Sequence, residues 1–177
     1  MLAEQPDILQ AAGTKRFFEY WNHLPKTGVA PDRRDFNPAR IAALMPAVTL
    51  LEIFSDTQVL QRLTGTGVCR AMGFDPTGKN MLELMAPELR SDYVKLIQTQ
   101  LSYPCGRWNI IRSRRESMID RAEVLTLPLR YGPSDRWMIL SYFGGIGAVA
   151  YEPGPYEILG YEETQWLDIG AGIPDRV

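Results

Sequence analysis

The stretch Arg62-Leu-Thr-Gly-Thr-Gly-Val-Cys-Arg-Ala-Met-Gly-Phe-Asp-Pro-Thr-Gly78 decides how the chain reads. Arg62, Thr64 and Thr66 stand two apart, as side chains on one face of an extended segment do. Gly65 and Gly67 allow a sharp change of direction, because a residue without Cβ turns where others clash. Val68 to Met72 then suits a short helical turn, with Gly73 as a left-handed stop. Asp75-Pro76-Thr77-Gly78 has turn chemistry: proline presets φ and glycine closes. The stretch reads as strand end, helical turn and loop.

Working outward, residues 48–54 read as a buried strand and 59–66 as its antiparallel partner, with Ser55-Asp56 between them. Asn37-Pro38 offers a cap and a first helical residue, predicting a short helix through Ile41, Leu44 and Met45 that Pro46 ends. A longer helix is predicted over 87–102, opened by Pro87, with Leu89, Tyr93, Leu96, Ile97 and Leu101 as its apolar stripe. Three strands follow, at 107–114, 121–130 and 136–143, with turns at Glu116-Ser117 and over Gly132-Pro133-Ser134-Asp135. Strand, strand, helices, then three strands is an α+β order with an antiparallel sheet.

Upstream, Thr14 is a candidate N-cap for a helix whose Phe17, Phe18, Trp21 and Leu24 recur at helical spacing. That aromatic stripe must be buried, either on its own domain or in a dimer or partner contact. The organisation predicted is a lead-in and amphipathic flanking helix over 1–35, a domain over 36–146, and an acidic tail over 147–177. Glu152-Pro-Gly-Pro155 breaks regular structure. Tyr156, Ile158, Leu159, Tyr161, Trp166 and Leu167 beyond it are too apolar for a solvated tail, which predicts docking.

The chain has 177 residues, 45% of them apolar, enough for one sizeable core, and a net charge of −2. That charge argues against a nucleic-acid binder. Charge is uneven: residues 151–177 hold six acids against Arg176 alone, leaving 18 bases and 15 acids in the rest. The arginines Arg107, Arg112, Arg114, Arg115 and Arg121 cluster around one predicted hairpin. They read as a solvated edge that discourages strand addition, or as a patch for a nucleotide or an acidic partner surface. No apolar run is long enough to span a bilayer and no signal sequence is apparent, which predicts a cytoplasmic protein.

His23 is the only histidine, and the two cysteines, Cys69 and Cys105, lie far apart. Neither a Cys–His nucleophile nor a metal set follows from them, so no enzyme and no metal site is predicted. His23 suits the carbonyls at a helix C-terminus.

Arg62-Leu63-Thr64-Gly65-Thr66 and Gly73-Phe74-Asp75-Pro76-Thr77-Gly78 resemble the "R-L-x-G-T" and "G-x-x-x-T-G" of a bacterial subgroup of stand-alone PAS domains. Pro31-Asp-Arg-Arg-Asp35-Phe-Asn-Pro38-Ala-Arg-Ile41 with Leu44-Met45-Pro46 is similar to its "P-x-R-x-D-[IF]-x-P-x-x-I-x-x-L-[LM]-P", and Tyr20-Trp21 fits its "Y-W". The resemblance covers about residues 14–146, and leaves out the tail. It implies a five-stranded antiparallel sheet with helices on one face, a flanking N-terminal helix and a C-terminal extension. It also implies a sensor or signalling adaptor that acts through homodimerisation or a partner protein, or a ligand-free interaction module with a filled core. Haem-binding members use a histidine on the long helix, which residues 87–102 lack. Flavin-binding members use "N-C-R-F-L", from which Val68-Cys69-Arg70-Ala71-Met72 departs at the asparagine. Haem and flavin are therefore disfavoured, and no cofactor is assigned.

A small-molecule pocket would lie between the sheet and the helices. The lining expected for it is Trp108 and Ile110; Leu125, Leu127 and Leu129; Met138, Leu140 and Tyr142; with Met72 and Leu96 from helices. All of these serve equally as plain core, and a register slip of one residue exchanges the faces. Arg62 and Glu123, polar positions inside apolar strands, need partners. They either pair with each other, or Arg62 faces the pocket and binds an anionic or carbonyl group.

Overall fold

The structure, a computed structural model, describes residues 3–4, 6–115, 118–132, 136–145 and 156–174. The predicted turns at Glu116-Ser117 and Pro133–Asp135 and the break over Glu152–Pro155 lie outside the described residues.

Helix α1 spans Ala12–Asn22 and is followed by a two-stranded ribbon, β1 (Lys26–Thr27) and β2 (Ala30–Pro31). Short 3-10 turns at Pro38–Ile41 and Met45–Ala47 replace the predicted short helix, because Pro46 removes a backbone donor where a longer helix would need it. Strands β3 (Val48–Ile53) and β4 (Val59–Thr64) form a hairpin. Helix α2 (Thr66–Met72) ends at Gly73, whose φ of 80° is the expected left-handed stop. Helix α3 covers Pro87–Ser102, and β5 (Gly106–Arg115), β6 (Met118–Arg130) and β7 (Trp137–Gly144) follow.

All neighbours in the sheet are antiparallel, in the order β4-β3-β7-β6-β5-β8. The sixth strand is the correction to the five expected. It is β8 (Tyr156–Leu167), which the tail contributes along the free edge of β5. Its addition explains the uneven charge. Glu162 pairs with Arg112 and Arg121 at 3.2 and 2.5 Å, and Glu157 pairs with Arg114 at 2.6 Å. The acidic surface facing the basic hairpin is the chain's own tail. Each exposed pair contributes little alone; together they match β8 to β5 in charge.

The two faces of the sheet are covered differently. Under α1 lies a filled core of Val48, Leu50, Trp108, Leu125, Leu127 and Leu140 with Phe17, Phe18 and Trp21. Phe17 stacks on Tyr142 at 5.3 Å, and Trp21 Nε1 donates to the Pro128 carbonyl at 3.0 Å. The aromatic stripe Phe17, Phe18, Trp21 and Leu24 is thus spent on its own domain, each residue 6% exposed or less. This corrects the alternative in which those four side chains meet a partner. The opposite face carries Leu51, Ile139 and Val124, packed with Tyr93 and Ile97 of α3 and Ile158 of β8.

Gly65 is held by proximity. A Cβ there would stand 2.2 Å from the Met45 carbonyl oxygen and 2.4 Å from that of Pro46, both backbone atoms that cannot swing away. Gly65→Ala should therefore cost about 1–3 kcal/mol of stability, from overpacking. Chemical denaturation checks it, and a variant as stable as the parent would show that the Met45–Pro46 turn can yield.

Candidate functional site

Strand geometry sends alternate side chains to opposite faces, and one phase of this sheet is notably polar. Thr49, Ser141, Thr126 and Arg107 are direct neighbours across β3, β7, β6 and β5. They lie on the face covered by α2 and α3. Gln100 of α3 reaches this row: its amide donates to the Cys105 and Thr126 carbonyls at 3.0 and 3.2 Å, and Thr126 Oγ1 donates to Gln100 Oε1 at 3.3 Å. Those bonds hold the C-terminal end of α3 on the sheet.

Between the polar row and the helices is a narrow cavity of about 60 Å³. Arg107, Asn109, Gln61, Met72, Tyr93 and Tyr161 are among the residues around it. Tyr93 and Tyr161 have nearly parallel rings 6.4 Å apart, and the Arg107 guanidinium lies 5.8 Å from the Tyr161 ring centre. Burial pushes the Tyr93 hydroxyl above its ordinary pKa, while the Arg107 charge draws it back. Gln61 is satisfied, donating to the Leu63 carbonyl at 2.8 Å. Arg107 and Asn109 are not. Only 2% and 1% exposed, they leave Arg107 Nε and Nη1 and Asn109 Nδ2 and Oδ1 without a hydrogen-bond partner among the described residues.

Of the expected pocket residues, Met72 alone borders this cavity; Leu96 is half-buried outside its lining. Trp108, Ile110, Leu125, Leu127, Met138, Leu140 and Tyr142 belong to the filled core under α1. The expected lining is one residue out of phase with the side chains around this cavity. Arg107 and Asn109 were missed. The sequence groups Arg107 with the solvated arginines of the hairpin, and the structure buries it. The available signal was Arg107-Trp108-Asn109 itself, a polar–apolar–polar alternation inside a strand that must be covered on both faces.

Arg62 and Glu123 do not pair. Arg62 is exposed and donates to Glu52 Oε2 at 2.5 Å, while Arg136 donates to Glu52 Oε1 at 3.3 Å. This pair of contacts ties β4 and the start of β7 to the intervening β3. Glu123 faces α1 instead. Its carboxylate accepts from Gln10 N–H (2.8 Å), Ala11 N–H (3.0 Å), Thr14 Oγ1 (2.7 Å) and Trp108 Nε1 (2.8 Å). Thr14 is therefore not the N-cap: the helix starts at Ala12 and Ala11 has no capping side chain, while Glu123 reaches in from β6 to accept the N–H groups of Gln10 and of Ala11 itself, as a capping-box carboxylate does. Burial pushes the Glu123 carboxyl up, but the four hydrogen bonds outweigh it and hold the group below its ordinary pKa.

His23 Nδ1 lies 2.7 Å from the Glu19 carbonyl oxygen at the end of α1. Cys105 is buried, which pushes its thiol up to about 12 and removes it as a nucleophile at neutral pH. Among the described residues no group of three or more His, Cys, Asp and Glu could hold a metal, and no helix is long and apolar enough to cross a membrane.

The β4-β3-β7-β6-β5 order, with α2 and α3 inserted between β4 and β5 and a cavity beneath them, agrees with the sequence resemblance. A family model described as PAS domain matches residues 9–143. The chain belongs to the PAS-domain family. The match begins before α1 and ends in β7, so it takes in the helix that Glu123 caps and leaves out β8. No curated protein matches the chain. Membership in the PAS family makes this a sensory or interaction module.

Proposed function

We propose that this PAS domain is a small-molecule sensor, with its ligand site in the cavity between the polar row and α2–α3. One observation carries the reading: two nearly fully buried polar side chains, Arg107 and Asn109, turn unsatisfied hydrogen-bonding atoms toward a cavity. Burying such groups unpaired is costly, and a bound molecule would offset the cost. Output would pass through β8. Ile158 and Tyr161 of that strand border the cavity, so occupancy would alter how the strand sits on β5 and what its outer edge offers to a second copy or a partner.

A second reading, an interaction module without a ligand, draws on Met118 and Ile119, 44% and 52% exposed at the start of β6. Native mass spectrometry of gently purified protein, with denaturing release, separates the two. The sensor predicts a stoichiometric small molecule, and slower amide exchange in β8 with it bound than after its removal. An empty protein whose β8 exchange is indifferent to a metabolite panel supports the interaction module.

A further inference from the structure

We infer that the ligand of this cavity is a short-chain monocarboxylate, held by Arg107 and Asn109; the inference rests on the sensor reading. Arg107 is the only charged side chain bordering the cavity among the described residues, and it has no acidic partner there. The nearby Tyr161 ring compensates part of its charge, while Arg107 Nε and Nη1 still lack an acceptor among the described residues. A guanidinium in this setting calls for an oxyanion, whose charge-assisted hydrogen bonds are stronger than those of a neutral carbonyl. One cation matches a single negative charge, which favours a carboxylate over a phosphate dianion. Asn109 Nδ2 offers a further donor, and Asn109 Oδ1 an acceptor suited to a hydroxyl next to the carboxylate. The rest of the lining includes apolar side chains, Met72 from α2 and Ile111 and Phe143 from the sheet, and suits a short carbon chain. A volume of about 60 Å³ limits the ligand to a few non-hydrogen atoms, the size of acetate or glycolate.

The test is thermal unfolding of the full chain in sodium acetate and sodium glycolate, against acetamide as the neutral isostere and sodium chloride as the ionic control. Saturable stabilisation by the carboxylates alone is expected. Arg107→Met should weaken that response about tenfold or more, while unfolding at a higher temperature than the parent in chloride, because an unpaired buried charge is gone. Arg107→Lys keeps the charge and should keep part of the response; it carries the test should the methionine variant fold poorly. Equal stabilisation by acetamide, an unchanged response in both variants, or no response to either carboxylate would overturn the assignment. Native mass spectrometry tells this failure from that of the sensor reading. A neutral molecule released from the protein ends the carboxylate assignment and leaves the sensor standing; an empty protein without a carboxylate response ends both.

Discussion

Glu123→Ala should destabilise the domain by about 3–5 kcal/mol and release α1 from the sheet, because it orphans four donors at once. The carboxylate is the acceptor for two backbone N–H groups at the start of α1, for the Thr14 hydroxyl and for the Trp108 indole. None of those donors has another acceptor among the described residues, and α1 carries no acidic residue in its own first turn to replace the lost charge. The neighbourhood is built tightly around this carboxylate. A Cβ on Gly144 would stand 2.8 Å from Glu123 Oε2, and one on Gly13 would stand 2.0 Å from the Tyr142 hydroxyl oxygen. Water that enters after the substitution could satisfy some donors but would open the apolar contact of Phe17 and Trp21 with the sheet. Tryptophan fluorescence follows the release directly, since Trp21 and Trp108 both lie in that contact.

The same group gives a pH signature. Its folded pKa lies below the ordinary value of 4.5, so its contribution is complete above that value and is lost as pH falls through the folded one. Glu123→Gln should thus be less stable than the parent at neutral pH, with the gap narrowing below about pH 4.5. A constant gap down to pH 3, or an alanine variant that keeps α1 docked, would show that the helix is held by its aromatic face alone.

What could be read from the sequence was the set of local signals. Pro87 and the apolar stripe fixed α3, Gly73 stopped α2, and the hydrophobic runs located five strands. What escaped depends on contacts between residues far apart in the chain. Nothing near Thr14 indicates that its helix is capped from β6, more than a hundred residues away. The phase of the strands escaped for a related reason: both faces are covered, so hydrophobicity does not say which face meets α1. The polar members of the other phase, Thr49, Arg107, Asn109, Thr126 and Ser141, held that information. A dry interlayer core has little use for them, whereas a cavity wall does. The tail's role was half visible: its apolar residues predicted docking, but that its acids meet the basic hairpin and that it pairs with β5 as a strand depend on contacts the local sequence does not show.

Removing residues 145–177 should cost about 5 kcal/mol, unprotect β5 and open the cavity. Ile158, Leu167 and Ile169 are among the buried side chains that leave with the segment, each contributing about 1.5–3 kcal/mol of apolar burial before the entropy of ordering the strand is set against it. β5 loses its hydrogen-bonded partner along its length and becomes the sheet edge. Arg112, Arg114 and Arg121 lose Glu162 and Glu157, and the like charges left along the bare edge oppose its pairing with a second copy. The wall made by Ile158 and Tyr161 goes too, so water reaches Arg107 and Asn109 and satisfies them without a ligand. Two measurements follow the consequences: amide exchange should accelerate through β5 while β3 stays protected, and any carboxylate-dependent stabilisation should vanish. Unchanged exchange in β5 would make β8 an appendage. Retained ligand response would place the site deeper, independent of the strand proposed to report it. The combination expected, both lost together, is what a sixth strand that closes the site and carries its state to the surface requires.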